Sequence, residues 1–308
     1  GHVNLYLLDT DIRENTEEDR EMTNSLYGGS REVRLMQEMI LGIGGVRLLV
    51  EKLKIQPALY HLNEGHSAFL LLERVRGLCH QGYVFEEACE IVRSSSVFTT
   101  HTPVPAGNEA FSKELMKKHF QDYATSRLGI TFDRLFSLAQ DDAYKTKLFS
   151  MTVLALHLTL GANAVSRLHG KVAKGMWNEI WPGLLQTEVP INVVTNGVHL
   201  ASWLGAEMRA LYEHCLSPQC IEQQEEVGVW DKINSVDNEK IWKAHRVQKE
   251  KLVQTARQLL IEQYSLRNES KHLIDASLEC LTSDVLLIGL SRRFAAYKRN
   301  GLFLLDPE

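Results

Sequence analysis

The chain has 308 residues, 44% hydrophobic and 24% charged, with a formal net charge of −5. That balance excludes collagen-like, low-complexity and disordered polypeptides, and it provides no global basic surface for nucleic acid. No apolar run reaches the roughly 18 residues of a membrane-crossing helix, so neither a membrane nor a nucleic acid is expected as a partner.

Five cysteines, Cys79, Cys89, Cys215, Cys220 and Cys280, stand at irregular spacing. An odd, scattered set in a chain of this size predicts reduced thiols and a cytoplasmic setting. His214-Cys215 with Cys220 has no second ligand pair at zinc spacing, so no metal is expected.

Residues 3–9 have the composition of a strand and lead into an acidic loop over 9–19. A helical pattern follows over 31–53, with Leu35, Met39, Ile43 and Val46 on one face. The glycines of 42–45 lie inside that pattern. A phosphate loop must follow a strand and open a helix, so these glycines predict close helix packing instead. Residues 58–63 predict a short strand, a turn at Glu64-Gly65-His66, and an apolar helix over 67–78. Another strand is expected at 96–100, ending at His101-Thr102-Pro103. Asn108 is placed to cap a helix over 109–127.

The apolar stretch at 151–160 is too short to span a membrane and predicts a core element. Residues 163–166 predict a strand end, and 189–195 predict a strand that ends in Asn196-Gly197. A helix is expected over 202–216, a polar linker over 217–237, and a long charged amphipathic helix over 239–264. A final strand at 285–290 empties into Ser291-Arg292-Arg293-Phe294-Ala295-Ala296-Tyr297-Lys298-Arg299. Four cations after a strand suit an anion: arginine offers a planar fork and lysine a compact charge.

Strands alternating with helices predict a parallel sheet with crossover helices. Its carboxyl edge would gather the polar strand ends: residues 63–66, 100–102, Ser166-Arg167, 196–199 and 291–293. Ligands bind at such edges in open α/β sheets. His, Asn, Glu and Thr together supply the donors and acceptors that sugar hydroxyls require. The pair of carboxylates that a retaining glycosidase needs is not evident.

Seven collinear segments resemble the α-glucan (glycogen, starch or maltodextrin) phosphorylases, in the form with the shorter polypeptide found in bacteria and archaea. They are LYLLDTDIREN, LYGGSREVRLMQEMILGIGGVRLL, YHLNEGHSAFLLLERV, VFTTHTPVPAGNEAF, ANAVSRLHGKVAKGMW, VTNGVHLASW and SRRFAAYKR. The resemblance implies two Rossmann-like domains of a GT-B glycosyltransferase fold, both incomplete in this chain. Residues 1–200 would be the C-terminal part of the first domain and 201–308 the start of the second. It implies phosphorolysis of terminal α-1,4-glucosyl units by inorganic phosphate, giving α-glucose 1-phosphate with retention of configuration. Pyridoxal 5'-phosphate is the implied cofactor, acting through its phosphate group.

By resemblance, Arg293 and Lys298 hold the substrate phosphate, and Arg292 lies near the cofactor phosphate. Tyr297 contacts the glucosyl unit. His101 and Asn196 meet the sugar's 6-hydroxyl, Trp203 lies near the cofactor, and Glu64 lines the sugar pocket with His66 beside it. Two expected features are absent: a glycine-rich phosphate loop, expected upstream of Gly1, and the Schiff-base lysine, expected beyond Glu308. The chain alone is therefore expected to be inactive. Ser30 stands where an acidic residue is expected. A homo-oligomer is left open. A nucleotide-sugar transferase on the same fold, or a glycan-binding homologue without catalysis, are the alternatives.

Overall fold

The computed structural model describes residues 3–25, 29–104, 107–140, 147–292 and 298–305. They form an α/β structure in two units, Gly1–Asn196 and Gly197–Glu308.

The first unit is organised by a helical run and a parallel sheet. Ser30 opens the run: its hydroxyl accepts from the Val33 backbone N–H and caps the helix Arg31–Met39. The run continues through wide turns at Ile40–Gly44 and Leu48–Lys52, on either side of Gly45–Arg47. Leu35, Ile43 and Val46 are buried along it, as the periodicity predicts. Gly42 is required by packing. A Cβ there would stand 2.8 Å from the Leu70 backbone nitrogen and 2.9 Å from Phe69 Cβ. Gly42 thus serves close helix packing, whereas a Cβ on Gly44 would make only an ordinary contact with Leu8 and one on Gly45 would meet nothing.

Among the described residues six strands follow in chain order: β1 (Tyr60–Asn63), β2 (Ser96–Thr100), β3 (Ala110–Phe111), β4 (Phe149–Ser150), β5 (Gly161–Ala164) and β6 (Ile191–Val193). Four make a parallel sheet in the order β1-β2-β5-β6, and β3 pairs antiparallel with β4. The helices Phe69–His80 and Phe85–Ser94 lie between β1 and β2 in the chain, and Arg167–Met176 between β5 and β6. Leu62, Phe98, Ala162, Ala164 and Ile191 are buried sheet residues. The alternate positions form a polar row in register: Asn63, Thr99, Asn163 and Asn192. The Thr99 hydroxyl donates to Asn163 Oδ1 at 2.8 Å and lies 2.7 Å from His61 Nε2. Phe69 stacks on Phe120 and Phe149 within the core, with centroids 4.7 and 6.1 Å apart.

Several local expectations change. Residues 3–9 form no regular element and join no sheet among the described residues, and Val3, Leu5 and Leu7 are exposed. The helix expected over 109–127 begins later, at Lys113, and its cap is Ser112, which accepts from Leu115 N–H. Asn108 is engaged elsewhere: it donates to the Val104 carbonyl and accepts from the Thr152 hydroxyl. An antiparallel pairing at Ala110–Phe111 claims the backbone that the helix would have used.

The second unit is helical. Leu200–Trp203 and Ala206–Cys215 lead into residues 217–237, which fold rather than link. Leu216, Cys220 and Ile221 are buried there against Tyr212, Val229, Trp230 and Ile233. Tyr212 and Trp230 meet edge to face at 5.8 Å. The helix Asn238–Leu266, about 44 Å long, carries Ala206–Cys215 and Lys271–Cys280 against it. The Arg257 guanidinium donates to the carbonyls of Leu278 and Leu281 at 2.6 and 2.9 Å, closing the end of the last helix. Residues 285–290, expected as a strand, make no sheet among the described residues.

Candidate functional site

The carboxyl edge of the parallel sheet builds a clamp around His101. β1 ends at Asn63, and the next residue, Glu64, takes φ +68° and ψ 173°. That conformation is close to glycine-only and costs about 1–3 kcal/mol, so its surroundings must hold it. They do. The Glu64 backbone N–H donates to the Thr99 carbonyl at 2.9 Å. Its Oε2 accepts from the His101 backbone N–H at 2.8 Å and from the Thr102 hydroxyl at 2.9 Å. The loop after β1 is thereby tied to the loop after β2.

The His101 ring is held from the same side, with Nε2 2.5 Å from Asn63 Oδ1. An amide oxygen only accepts, so Nε2 carries the proton in this contact. Backbone and ring of His101 are thus fixed by two consecutive residues. Glu64 Oε1 is buried and has no hydrogen-bond partner among the described residues. A buried carboxylate oxygen facing no donor is matched by a ligand that brings one, such as a hydroxyl.

Gly65 makes the next turn possible. A Cβ there would press on Met151 Cβ at 3.2 Å and on the Thr152 backbone nitrogen at 3.3 Å. His66 then leaves the clamp for other partners: Nδ1 lies 3.2 Å from Arg34 Nη2 and 3.3 Å from Glu38 Oε1. Burial pushes the Glu38 carboxyl above its ordinary range, against the opposing pull of His66 and Arg34. Sequence reasoning puts Asn63 and Thr102 among the polar strand ends without giving either a role, and it missed Arg34 and Glu38. The partnership of Arg34 and Glu38 with His66 has no local signal in the sequence.

At the end of β6, Asn196 is exposed, and its backbone N–H donates to the Val165 carbonyl at 3.2 Å, beside the end of β5. It therefore shares the sheet's carboxyl edge with the clamp. Ser166 caps the helix Arg167–Met176, and a Cβ on Gly170 would meet Val193 at 2.3 Å, which explains how closely that helix approaches the sheet.

In the second unit, Trp203 ends a short helix and is 81% exposed. Arg292 is exposed, and its Nη1 donates to the Lys298 carbonyl at 3.4 Å. Arg293 and Tyr297 lie outside the described residues. Among the described residues, no cluster of three or more His, Cys, Asp and Glu could hold a metal, and no helix is long and apolar enough to cross a membrane.

No family profile matches the chain. Among curated proteins it is 37% identical over its full length to a maltodextrin phosphorylase of Thermococcus litoralis, of which it covers 36%. It is 39% identical to a glycogen phosphorylase of Mycobacterium tuberculosis, again covering 36%, and 32% identical to one of Aquifex aeolicus, covering 44%. The chain therefore spans between about a third and under a half of the relatives it matches. Identity of this order over the whole length of the chain makes it a segment of the maltodextrin and glycogen phosphorylase family.

Proposed function

We propose that the protein is an α-glucan phosphorylase. It would transfer a terminal α-1,4-linked glucosyl unit to inorganic phosphate and release α-glucose 1-phosphate with retention. The observation that carries this reading is the clamp: a strained Glu64 that holds His101 and keeps one carboxylate oxygen for a hydroxyl donor. In this reading, His101, Asn196 and Glu64 grip the sugar from the carboxyl edge of the first unit's sheet, with His66 beside them. Arg293 and Lys298 hold the substrate phosphate, and Tyr297 contacts the glucosyl unit.

The two units would be parts of the Rossmann-like domains of a GT-B fold, divided near residue 200. The attacking group is already an anion, so catalysis requires placement against an oxocarbenium-like centre more than a carboxylate nucleophile. Charge-assisted hydrogen bonds contribute about 1.5–3 kcal/mol each. Loss of one corresponds to roughly tenfold to over a hundredfold in rate.

Pyridoxal phosphate is the cofactor of this reading and, when bound, supplies a second phosphate. Arg292 and Trp203, both exposed, suit it: a planar cation for the phosphate and an indole for the ring. No lysine is buried among the described residues, and the covalent anchor is assigned to none of them. The protein's setting, in this reading, is the cytoplasm.

The test uses the product of the complete reading frame with maltoheptaose and inorganic phosphate. Glucose 1-phosphate should appear in proportion to phosphate. Release of free glucose without phosphate dependence would sink the assignment, and turnover of a nucleotide sugar would favour the transferase alternative. Lys298→Ala should raise the KM for phosphate by about tenfold to a hundredfold. An unchanged KM would remove Lys298 from this role.

A further inference from the structure

Asn63 and His101 meet for a reason built into the sheet. Asn63 stands in register with Thr99 on the neighbouring strand, and His101 follows Thr99 by two residues. Side chains two apart in a strand share a side, and the contact with Asn63 shows that His101 keeps it just past the end of β2. Glu64, the residue after Asn63, holds the His101 backbone N–H through Oε2. The same side of β1 carries a second histidine. His61 Nε2 lies 2.7 Å from the Thr99 hydroxyl. That hydroxyl gives its one hydrogen to Asn163 Oδ1, so it accepts from His61, which is therefore protonated at Nε2.

At His101 the partner is an amide instead of a hydroxyl, and the consequence for the ring is the same. Asn63 Oδ1 lies 2.5 Å from Nε2 and can only accept, which puts the ring proton on Nε2. The other ring nitrogen, Nδ1, has no hydrogen-bond partner among the described residues, and His101 is exposed. In a neutral imidazole one nitrogen donates and the other accepts, so the hydrogen bond at one decides what the other offers. With the proton held toward Asn63, Nδ1 presents a lone pair. Turning the amide round would reverse this: Asn63 Nδ2 would donate to Nε2, and the proton would move to Nδ1. The two arrangements select opposite ligand atoms, a hydroxyl hydrogen in the first and a bare oxygen in the second.

We infer that Asn63 is a positioning residue that sets His101 as a hydrogen-bond acceptor, so that the ligand atom meeting the ring is a hydroxyl carrying its own hydrogen. The ligand class follows from this polarity. A lone pair repels an anionic oxygen, and the carboxylate that holds the His101 backbone keeps a second unmatched acceptor, Glu64 Oε1. An ether oxygen or a fluorine in the hydroxyl's place brings no hydrogen and leaves Nδ1 without a partner. The identity of that hydroxyl as the 6-hydroxyl of a glucosyl unit rests on the phosphorylase reading; the position of the ring proton does not.

Nuclear magnetic resonance on the 308-residue chain with 15N-labelled histidine reads the ring directly. The spectra are taken at about pH 8, where imidazole is ordinarily neutral, and His101→Asn assigns the His101 signals. The wild-type chain should show the Nε2–H tautomer alone, and Asn63→Ala should show both tautomers. An Nδ1–H pattern or a mixture in the wild type overturns the inference, as does an unmixed Nε2–H pattern in Asn63→Ala. If Asn63→Ala fails to fold, the wild-type spectrum decides by itself. The product of the complete reading frame tests the ligand side. With maltoheptaose as the glucan, kcat/KM for 6-deoxy-6-fluoro-α-glucose 1-phosphate should fall about tenfold to a hundredfold below that for α-glucose 1-phosphate. Asn63→Ala should narrow that gap. Equal slowing of both substrates, with the gap unchanged, marks a merely structural role for Asn63 and overturns the assignment. If α-glucose 1-phosphate is not turned over at all, the phosphorylase reading fails while the spectrum still decides the tautomer.

Discussion

The two units draw on similar residues and bury them very differently. In the first, apolar side chains from the sheet, the helices and the short β3–β4 pair form one core from Leu35 to Ile191. In the second, the compact cluster is Leu216, Cys220 and Ile221 with a partly buried rim. The contrast is sharpest between two apolar runs. Phe98 in β2 is fully buried, whereas Leu286, in an equally apolar run, is 84% exposed. β2 has a hydrogen-bonded strand on each side. Residues 285–290 have none among the described residues, although the Val285 carbonyl accepts from the Lys249 ammonium. A strand is a shared structure. Its N–H and C=O groups need a second chain segment, and apolar composition cannot supply one.

The largest test of that contrast is a pair of truncations. Phe69→Ala, which removes a fully buried ring stacked on Phe120 and Phe149, should cost about 3–5 kcal/mol in urea unfolding. Leu286→Ala should stay within about 0.5 kcal/mol, as for other exposed positions. Equal costs would mean that Leu286 is packed in solution. Next comes Gly42→Ala, which pushes a methyl onto the backbone of the facing helix and should cost about 1–3 kcal/mol. A neutral result would show that the two helices can part freely.

The smallest effects are in pH dependence, where the units should differ in sign. Glu38 in the first unit has its folded value raised, by burial first and foremost. Its folded state holds the proton more firmly than the unfolded chain does. Stability is therefore lost as pH rises from the ordinary glutamate range through the raised folded value. Glu38→Gln should flatten that decline. Glu207 in the second unit has its value lowered, chiefly by the hydrogen bond from Lys251. Its contribution is present above the ordinary glutamate range and fades as pH falls through the lowered folded value. Glu207→Gln should remove that acid-side loss. Unfolding midpoints across the acid range would check both, and a common sign would break the comparison.

Much of the first unit is legible from pattern. Leu35, Ile43 and Val46 mark one face of a helix because burial recurs with the helical period. Residues 96–100 form a strand over the expected span because β-branched and aromatic side chains end at a polar cluster. The same pattern gives the wrong element at 285–290, where composition matches but the neighbours differ. Asn108 is a reasonable cap by residue type, yet Ser112 caps the helix because β3 occupies the intervening backbone. In the candidate site, Glu64 and His101 can be picked out as strand-end residues. Their hydrogen bond, spanning 37 residues, cannot. Nor can the contact of Arg34 with His66, where a helix meets a turn across 32 positions.

The sequence alone determined what is carried by local order: the periods of helix and strand, the polar residues waiting at strand ends, and the collinear segments that mark the family. The tertiary structure alone decided which apolar runs found edges to pair with, how Glu64 is held in a backbone conformation it would not otherwise adopt, and which nitrogen of His101 meets Asn63. The reason is physical. Propensity and periodicity are properties of neighbouring residues, whereas hydrogen-bond satisfaction and burial are properties of whatever surface the rest of the chain brings into contact.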